Sequence, residues 1–351
     1  MAKPKVILDP SWRRLGELFA PADLDSLRDE FDVIWAQDAP MPGAALDAAL
    51  EGAFAYIAAT PRLDAARLAI ASGLRAVIEV SGAFPDTIDY DACDARGVEV
   101  LSCAPGFRQP VAEMALAMTL GGARGLFAEH EAFRRGEERW LEDYEGRDFS
   151  LYGASVGFVG YGQIAREIHR LITPFGVSVR AYDPWLDPAR ASAAGVMLLE
   201  LDQVMQTSRC LFVTAAPTTE NKGMIDAERL AHLPDAAMVV LVSRAHLVDF
   251  DALLSQVATG RIRAAIDVFP TEPLPRDHSA RNLPGLILSP HRAAAVEGGR
   301  QLIGRLILDD LRLLSGGQKP ENLQRAHGLD VSKLAGTGNA TEVEDMAGQR
   351  S

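Results

Sequence analysis

The sequence predicts an α/β protein with two doubly wound parallel-sheet domains. Its 351 residues correspond to two or three domains at about 150 residues each. Short, nearly uninterrupted apolar segments alternate with helical patterns up to about residue 105, and a second such series begins at Ala154. Strands of this kind are typical of parallel sheets that are covered by helices on both faces.

The first series predicts one small domain. Its strands lie in "KPKVILDP", "FDVIWAQ", "GAFAYIAAT", "LRAVIEVSG" and "VEVLSCAPG", and each is bounded by Gly, Pro or polar residues. A helix over Trp12–Phe19 is expected after the first strand, and "LDAALEG" and "LDAARLAIASG" are also helical patterns. After Pro110, "PVAEMALAMTLGGARGLFAEHEAFRRG" predicts one long helix, and residues 137–153 predict an irregular connector.

The second series predicts a second domain. Its strands lie in "SVGFVGYG", "VSVRAYDP", "CLFVTAAP", "AMVVLVSR", "AAIDVF" and "GLILSPH". Helices separate most of them, including "FDALLSQVATG", which Gly260 is expected to end. A long amphipathic helix in "RAAAVEGGRQLIGRLILDDLRLLSGG" is expected to return to the first domain. The predicted domains are residues 1–110 together with 297–330, and an inserted domain over 111–296, with a flexible tail over 331–351.

The composition excludes several classes of protein. Hydrophobic residues make up 48% and charged residues 24% of the chain, which is ordinary for a globular protein. The net charge of −13 disfavours nucleic acid and anionic membranes as partners. Three cysteines without a CxxC pair predict neither a disulfide framework nor a metal site, which suits a reducing compartment. Since no signal peptide or apolar stretch of about 18 residues is found, we expect a cytoplasmic protein.

A glycine-rich turn joins a predicted strand to a predicted helix. Its residues, Gly160-Tyr161-Gly162-Gln163-Ile164-Ala165, fit the pattern G-x-G-x-x-G/A. In that pattern the glycines let the backbone approach a pyrophosphate, and the helix N-terminus supplies N–H groups. The plainer alternative is a tight strand–helix turn that binds nothing.

Asp183 lies at the end of the strand that follows this turn. A carboxylate there accepts hydrogen bonds from an adenosine ribose, and its charge repels a 2′-phosphate. The turn and Asp183 together therefore predict NAD rather than NADP as the cofactor. The alternative for Asp183 is a turn residue before Pro184.

Side chains suited to catalysis lie at the carboxyl ends of three predicted strands. Arg244 follows "MVVLVS" and His291 follows "LILSP". Asp267 and Glu272 lie in and after "AAIDVF". Each has a plainer interpretation, as a solvated arginine, a loop carboxylate or a loop histidine. Together they predict an active site, because ligands of open α/β sheets bind at such strand ends.

These segments resemble the C-terminal signature of the NAD-dependent D-isomer-specific 2-hydroxyacid dehydrogenases, in "LVSRAHLVDFDALLSQVATGRIRAAIDVFPTEPLP" and "LILSPHRAA". Upstream, "DTIDYDACDARGVEVLSCAPGFRQPVAEMAL" is similar to that family's segment between its two domains. The resemblance spans about residues 75–310. It implies a Rossmann NAD-binding domain that is inserted in a flavodoxin-like substrate-binding domain.

The resemblance implies a role for each residue of the site. Arg244 would bind the carboxylate and carbonyl of a 2-oxo acid, which suits a guanidinium because it is always charged and has a planar fork of donors. His291 would be the acid/base that protonates the carbonyl oxygen as a hydride arrives from NADH. Glu272 would orient His291 and stabilise its protonated ring. Asp267 would accept a hydrogen bond from the nicotinamide carboxamide.

Further contacts are implied in the same way. Backbone N–H groups of one loop would meet the substrate carboxylate, at Gly82, Ala83 and Phe84. The implied cofactor contacts are Gly160, Tyr161, Gly162, Gln163, Ile164, Asp183, Pro217, Val242, Ser243 and Asp267. The predicted helix after Pro110 and the connector that follows it resemble the element through which the family forms two-fold dimers, so a homodimer is expected.

The sequence departs from the family pattern at four positions. Ala245 stands where glycine usually follows the arginine, and Ala215 replaces a common histidine. Ser289 replaces the usual threonine before the Pro-His pair, and Phe84 stands where the substrate loop usually has glycine. The last change puts the substrate and the geometry of the loop in question. Glu272 counts against a formate dehydrogenase, in which glutamine would be expected.

Three functions remain open from the sequence. The first is an oxidoreductase that transfers a hydride between NAD(H) and a small 2-oxo acid or D-2-hydroxy acid. The second is an NAD(H)-sensing binding or regulatory protein on the same fold, which the presence of Arg244, Glu272 and His291 disfavours. The third is an NAD protein of unrelated chemistry, for which these strand-end residues would be a coincidence. The identity of the 2-hydroxy acid is not determined.

Overall fold

The structure, a computed structural model, describes residues 2–138, 140 and 147–326. The predicted tail over 331–351 lies outside the described residues. Contacts divide the chain into a first unit, up to Arg108 and from Ala294 onward, and a second unit, Gln109–Ala293. The limits predicted from the sequence, at residues 110 and 297, differ from these by two and three residues.

The strands are β1 (Lys5–Asp9), β2 (Asp32–Trp35), β3 (Ala53–Ala58), β4 (Ala76–Glu79), β5 (Glu99–Ser102), β6 (Ser155–Val159), β7 (Ser178–Tyr182), β8 (Val196–Leu198), β9 (Cys210–Val213), β10 (Met238–Leu241), β11 (Arg263–Ile266), β12 (Leu286–Leu288) and β13 (Gln324–Arg325). The α-helices are α1 (Leu15–Leu18), α2 (Pro21–Glu30), α3 (Gly43–Leu50), α4 (Ala65–Ile70), α5 (Tyr90–Ala95), α6 (Arg108–Ala123), α7 (Leu126–Arg135), α8 (Gln163–Ile172), α9 (Pro188–Ala193), α10 (Leu201–Thr207), α11 (Ala227–His232), α12 (Phe250–Ala258) and α13 (Leu302–Ser315).

The first unit contains a sheet in the order β13-β5-β4-β3-β1-β2. Without β13, which pairs antiparallel with β5, this is the flavodoxin-like order. Side chains of β1 alternate between two cores, with Val6 and Leu8 in one and Ile7 in the other. Helix α13 packs in the same core as Val6, through Ile303 and Ile307. The final helix therefore belongs to the first unit.

The second unit contains a parallel sheet in the order β12-β11-β10-β9-β6-β7-β8. Counted from β6, this is the Rossmann order 3-2-1-4-5-6 with one further strand beside the sixth. The glycine turn follows β6, next to the point at which the strand order reverses. Ligands of doubly wound sheets bind at this switch point, so the topology places a nucleotide site at the carboxyl end of β6.

Three predicted helices differ from the structure. The segment expected to form one helix after Pro110 forms α6 and α7, because Gly125 between them has a left-handed φ of 61°. Helix α13 begins only at Leu302, and the residues before it form turns around Gly298, whose φ is 71°. The helix expected over Trp12–Phe19 is the short α1. In the described part of the chain, no helix is both long and apolar enough to cross a membrane.

Candidate active site

The glycine turn has the geometry of a phosphate-binding turn. Gly160 has a φ of 84°, and a Cβ there would lie 2.4 Å from the Cα of Ala215, so only glycine fits. Gly162 is the N-cap of α8 and has no side chain to cap its N–H groups. A Cβ added at Gly162 would meet none of the described residues within 4 Å. The first turn of α8, which begins at Gln163 and Ile164, therefore has N–H groups that no N-cap side chain satisfies, and the space beside Gly162 is open, as an anion site requires.

Asp183 directs its carboxylate to this turn. Its Oδ2 accepts a hydrogen bond from the N–H of Tyr161 at 2.7 Å, and its Oδ1 accepts one from the N–H of Trp185 at 3.0 Å. These two bonds hold a negative charge beside the glycine turn, directly after β7. Together with the uncapped N-terminus of α8, the arrangement fits NAD.

His291 and Glu272 form a close pair. Nδ1 of His291 lies 2.6 Å from Oε2 of Glu272, and Oε1 of Glu272 accepts the N–H of Phe269 at 2.8 Å. The carboxylate is therefore held by its own loop while it faces the ring. Because Nδ1 is used in this pair, Nε2 is the ring nitrogen left to meet a substrate. The His291 side chain is 45% exposed, so a small molecule can reach it.

The charge state of Glu272 follows from its neighbours. Burial raises the pKa of its carboxyl, but the hydrogen bond and charge of His291, the N–H of Phe269 and the charge of Arg244 outweigh burial, so the pKa is lowered. Glu272 therefore remains ionised and stabilises a protonated ring on His291. The effect of Arg244 also places its guanidinium within electrostatic reach of the pair.

Asp267 is buried and fastens the segment that carries His291. Its Oδ1 accepts hydrogen bonds from the Ser289 hydroxyl at 2.5 Å and the Arg292 N–H at 3.0 Å, and its Oδ2 accepts one from the Ala293 N–H at 3.1 Å. The carbonyl of Asp267 also accepts the N–H of His291 at 2.8 Å. The resemblance implies a contact with the nicotinamide, whereas these bonds direct the carboxylate to residues 289–293.

His291 needs this support because its backbone has a φ of 47°. Residues other than glycine are strained in the left-handed region, at a cost of about 1–3 kcal/mol. The bonds from Ser289, Arg292 and Ala293 to Asp267 hold the chain on both sides of the strained residue. Such strain concentrates at functional sites.

Arg244 follows β10 after Val242 and Ser243, both of which are buried. The Ser243 hydroxyl donates to the carbonyl of Val213 at 3.0 Å, and Nη1 of Arg244 donates to the carbonyl of Ser243 at 2.8 Å. Arg244 itself is exposed. Ala245, in place of the usual glycine, is buried at the start of a 3-10 helix, so its methyl group packs inward.

The loop after β9 carries Pro217 and is held by two residues that the sequence does not single out. Asn221 accepts the N–H of Thr218 at 2.7 Å and donates to the carbonyl of Ala216 at 2.8 Å. Nε2 of His246 lies 2.8 Å from the carbonyl of Thr218. The contacts of Asn221 lie within its own loop, whereas the contact of His246 forms only when β9 and β10 lie side by side.

The loop that the resemblance assigns to the substrate, residues 81–84, belongs to the first unit. Gly82 has a φ of 92°, and a Cβ there would lie 3.0 Å from the Phe107 ring, so glycine is required. Phe84 is buried in a core, so its side chain packs inward. The N–H groups of Gly82 and Ala83 donate to Oε2 of Glu79 at 2.8 and 2.7 Å. The resemblance implies that these donors meet a substrate carboxylate, but here they meet a carboxylate of the protein.

Glu79 is thus a residue of the loop that the sequence analysis does not identify. The sequence feature that could have identified Glu79 is a charged residue inside the apolar segment "RAVIEVSG". Asp267 shows the same feature inside "AAIDVF". In the second unit, considered by itself, the glycine turn, Arg244, Glu272 and His291 all follow strands of one sheet. Among the described residues, no group of three His, Cys, Asp or Glu side chains is arranged to hold a metal ion.

This fold and site define a class of protein. Residues 116–293 match the model of the family described as "D-isomer specific 2-hydroxyacid dehydrogenase, NAD binding domain". The chain belongs to this family, and its second unit contains the NAD-binding domain.

Individual members show the range of the similarity. D-3-phosphoglycerate dehydrogenase of Mycobacterium bovis is 32% identical over 306 residues, which cover 87% of this chain and 57% of that protein. The chain thus spans little more than half of that relative. Glyoxylate reductase of Thermococcus kodakarensis is 25% identical over 322 residues, 88% of this chain and 95% of that protein. The crystal structure of a phosphoglycerate oxidoreductase from Rhizobium etli has a TM-score of 0.83 and 32% identity, and the match covers 93% of this chain and 99% of that one.

Proposed function

We propose that the protein is an NAD-dependent D-2-hydroxyacid dehydrogenase that interconverts a small 2-oxo acid and the corresponding D-2-hydroxy acid. The observation that carries this proposal is the pair of His291 and Glu272, 2.6 Å apart, with the charge of Arg244 acting on Glu272. This acid/base pair lies in the same unit as the NAD-binding turn. When bound, NADH supplies the hydride.

Each residue of the site has a separate role in the reduction. Arg244 binds the substrate carboxylate and the carbonyl oxygen, and so orients the carbonyl carbon toward the cofactor. The protonated ring of His291 donates a proton from Nε2 to the carbonyl oxygen, which becomes the hydroxyl. Glu272 balances the positive charge of the ring before the transfer. In the reverse direction the neutral ring accepts the hydroxyl proton.

The substrate is a small 2-oxo acid whose side chain remains to be identified. The names of the relatives refer to phosphoglycerate and glyoxylate, which differ in size and charge. A direct test measures NADH oxidation with glyoxylate, hydroxypyruvate, pyruvate and bulkier 2-oxo acids. On the best substrate, His291→Ala and Arg244→Ala should each lower kcat/KM by about 10²–10⁴-fold.

Arg28→Ala, which removes an exposed arginine on α2 of the first unit, is the control and should retain activity. Near-normal turnover by both site variants would overturn the assigned roles. NADH binding without turnover on any 2-oxo acid would instead support the NAD(H)-sensing alternative.

We also propose that the protein forms a homodimer through α7. This helix has no buried residue, and it exposes Leu126 by 59% and Phe133 by 58%. Trp140 is also exposed, and its ring lies 6.0 Å from that of Phe133. A second copy of the chain that covers this face would remove the apolar surface from water.

A reducing, cytoplasmic environment is proposed from the cysteines. Cys93, Cys103 and Cys210 are all free and buried. Burial raises the pKa of each thiol, so all three remain neutral and unreactive at physiological pH. None of them takes part in the proposed reaction.

A further inference from the structure

Tyr161 stands between the two glycines of the nucleotide turn, and its side chain is buried. Only 3% of the residue is exposed. Its ring lies 5.6 Å from that of Phe158 on β6, at an angle of 82°. Its hydroxyl lies 2.5 Å from Nδ1 of His169 on α8. The side chain therefore contacts both the strand that precedes the turn and the helix that follows it.

The main chain of Tyr161 adds a third contact, the hydrogen bond from its N–H to Asp183 after β7. One residue thus joins the turn to β6, β7 and α8. His169 lies eight residues after Tyr161, about two turns into the helix, so the contact reaches the body of α8. Gly160 and Gly162 have no side chains to make such contacts, and glycine has the most backbone freedom to lose. The residue between them therefore supplies the rigidity of the turn.

The two side chains of the pair are neutral at neutral pH. Burial raises the pKa of Tyr161, although the charge of Arg166 opposes the shift, and burial lowers the pKa of His169. A neutral imidazole has one bare nitrogen and one N–H group, and a phenol is the more acidic donor of the two. The hydroxyl of Tyr161 therefore donates to Nδ1 of His169, and the ring proton lies on Nε2.

We propose that Tyr161 and His169 are positioning residues for NAD, a side-chain pair that holds the glycine turn and the first turn of α8 in the geometry that receives the pyrophosphate. A preformed turn does not have to be ordered when the cofactor binds, so less of the binding free energy is lost. The inference concerns cofactor binding alone, so it does not rest on the identity of the substrate or on the proposed reaction.

Cofactor binding tests the pair without any turnover. Tyr161→Phe keeps the ring on Phe158 but removes the hydroxyl. The Kd of NADH, measured by its fluorescence, should rise by about five- to ten-fold, the scale of one hydrogen bond. ADP-ribose, which has the pyrophosphate but no nicotinamide, should lose as much affinity in competition with NADH, whereas adenosine, which has no phosphate, should bind as it does to the wild type. Equal loss for adenosine, or an unchanged Kd for NADH, would overturn the proposal.

Substitutions of His169 test the partner of the hydroxyl. His169→Leu removes the acceptor and should weaken NADH binding by the same factor as Tyr161→Phe. The double variant should bind no more weakly than either single variant, because both changes remove one interaction. His169→Asn, whose amide oxygen can replace Nδ1 as the acceptor, should restore most of the affinity. Additive losses in the double variant, or equally weak binding by the Asn and Leu variants, would contradict the pair.

The variants of His169 also keep the test valid if Tyr161→Phe fails to fold, because His169 is only partly buried. Tyr152→Phe is the matched control, since it removes the hydroxyl of an exposed tyrosine in the same unit. It should leave the Kd of NADH unchanged. An equal rise of this Kd in Tyr152→Phe would show that the loss is not specific to Tyr161.

Nitrogen NMR of protein with isotope-labelled histidine tests the hydrogen bond itself, which a merely structural role of Tyr161 would not fix. At neutral pH, Nε2 of His169 should carry the ring proton and Nδ1 should be bare. The signals are assigned by their absence in His169→Asn. They should move in Tyr161→Phe and stay in place in Tyr152→Phe. A ring proton on Nδ1 in the wild type would overturn the assignment.

Discussion

Nδ1 of His291 lies 2.6 Å from Oε2 of Glu272, while the other oxygen of that carboxylate accepts the N–H of Phe269. The backbone of the loop thus sets the position of the carboxylate, and the carboxylate sets the orientation of the ring. An ionised Glu272 favours the protonated ring, which is the form that gives a proton to a carbonyl oxygen. In the proposed reaction, the pair therefore supplies the proton for reduction and accepts it in the reverse direction.

Glu272→Gln should lower kcat/KM for reduction by about 10²-fold, because the neutral amide no longer balances the positive charge on the ring of His291 before the proton is given to the carbonyl oxygen. The measurement is kcat/KM in both directions near neutral pH. Glu228→Gln on α11 is the control and should leave both values unchanged. A reduction rate in Glu272→Gln equal to that of the wild type would contradict the role of Glu272.

The same pair should contribute to stability in a pH-dependent way. The pKa of Glu272 is lowered in the folded protein, so its contribution is fully present above the ordinary carboxyl pKa and is lost as the pH falls through the lowered pKa. The difference in free energy of unfolding between wild type and Glu272→Gln should therefore be largest near neutral pH and shrink in acid. Denaturant unfolding at several pH values measures it. If the difference in free energy of unfolding grows as the pH falls, the stabilising role of ionised Glu272 is contradicted.

Asp267→Ala should destabilise the segment around His291. The substitution leaves buried donors of Ser289 and Ala293 without their acceptor, at about 1–3 kcal/mol for each unsatisfied group. We expect a lower free energy of unfolding together with a lower kcat, because the strained backbone of His291 loses its support. If Asp267 acts mainly on the nicotinamide, the Kd of NADH will instead rise while stability remains near that of the wild type. Asp267→Asn, which keeps the shape, should be milder.

Asp183→Ala should weaken discrimination against NADP. The carboxylate is held beside the glycine turn by the N–H groups of Tyr161 and Trp185, so its charge is well placed to repel a 2′-phosphate. The ratio of the Kd values for NADPH and NADH should fall by about ten-fold or more, ~1.4 kcal/mol. Asp235→Ala removes an exposed carboxylate elsewhere in the same unit and should leave the ratio unchanged. An unaltered ratio in Asp183→Ala would remove this residue from the cofactor site.

A charge on the exposed face of α7 should dissociate the proposed homodimer. Leu126→Glu with Phe133→Glu places two carboxylates on a face that has no buried residue, so the fold of the monomer should tolerate them. Light scattering coupled to size-exclusion chromatography should report a monomer for this variant and a dimer for the wild type. Met197→Glu, at a similarly exposed apolar residue on β8, is the control. A wild-type monomer would refute the dimer outright.

Much of the fold is local in origin and follows from the sequence. Continuous apolar segments predict parallel strands, because a strand buried on both faces needs no polar side. The helix after Pro110 shows the limit of such arguments. Its periodic pattern continues through Gly125, but the left-handed backbone there divides it into α6 and α7. A glycine permits such a break without requiring it, and the carboxylate of Asp148, 3.3 Å from where a Cβ of Gly125 would lie, is remote in sequence.

The residues of the site also differ in how far the sequence alone predicts them. By itself the sequence determined the elements and the chemical types: the glycine turn, and Arg244, Glu272 and His291 at strand ends. Only the tertiary structure decided the partners of the two carboxylates that interrupt apolar strands. Asp267 turns to residues 289–293, and Glu79 turns to the loop that the resemblance assigns to the substrate. The physical reason is that strand ends and chemical types are properties of short segments, whereas a buried carboxylate takes the donors that chain packing brings to it.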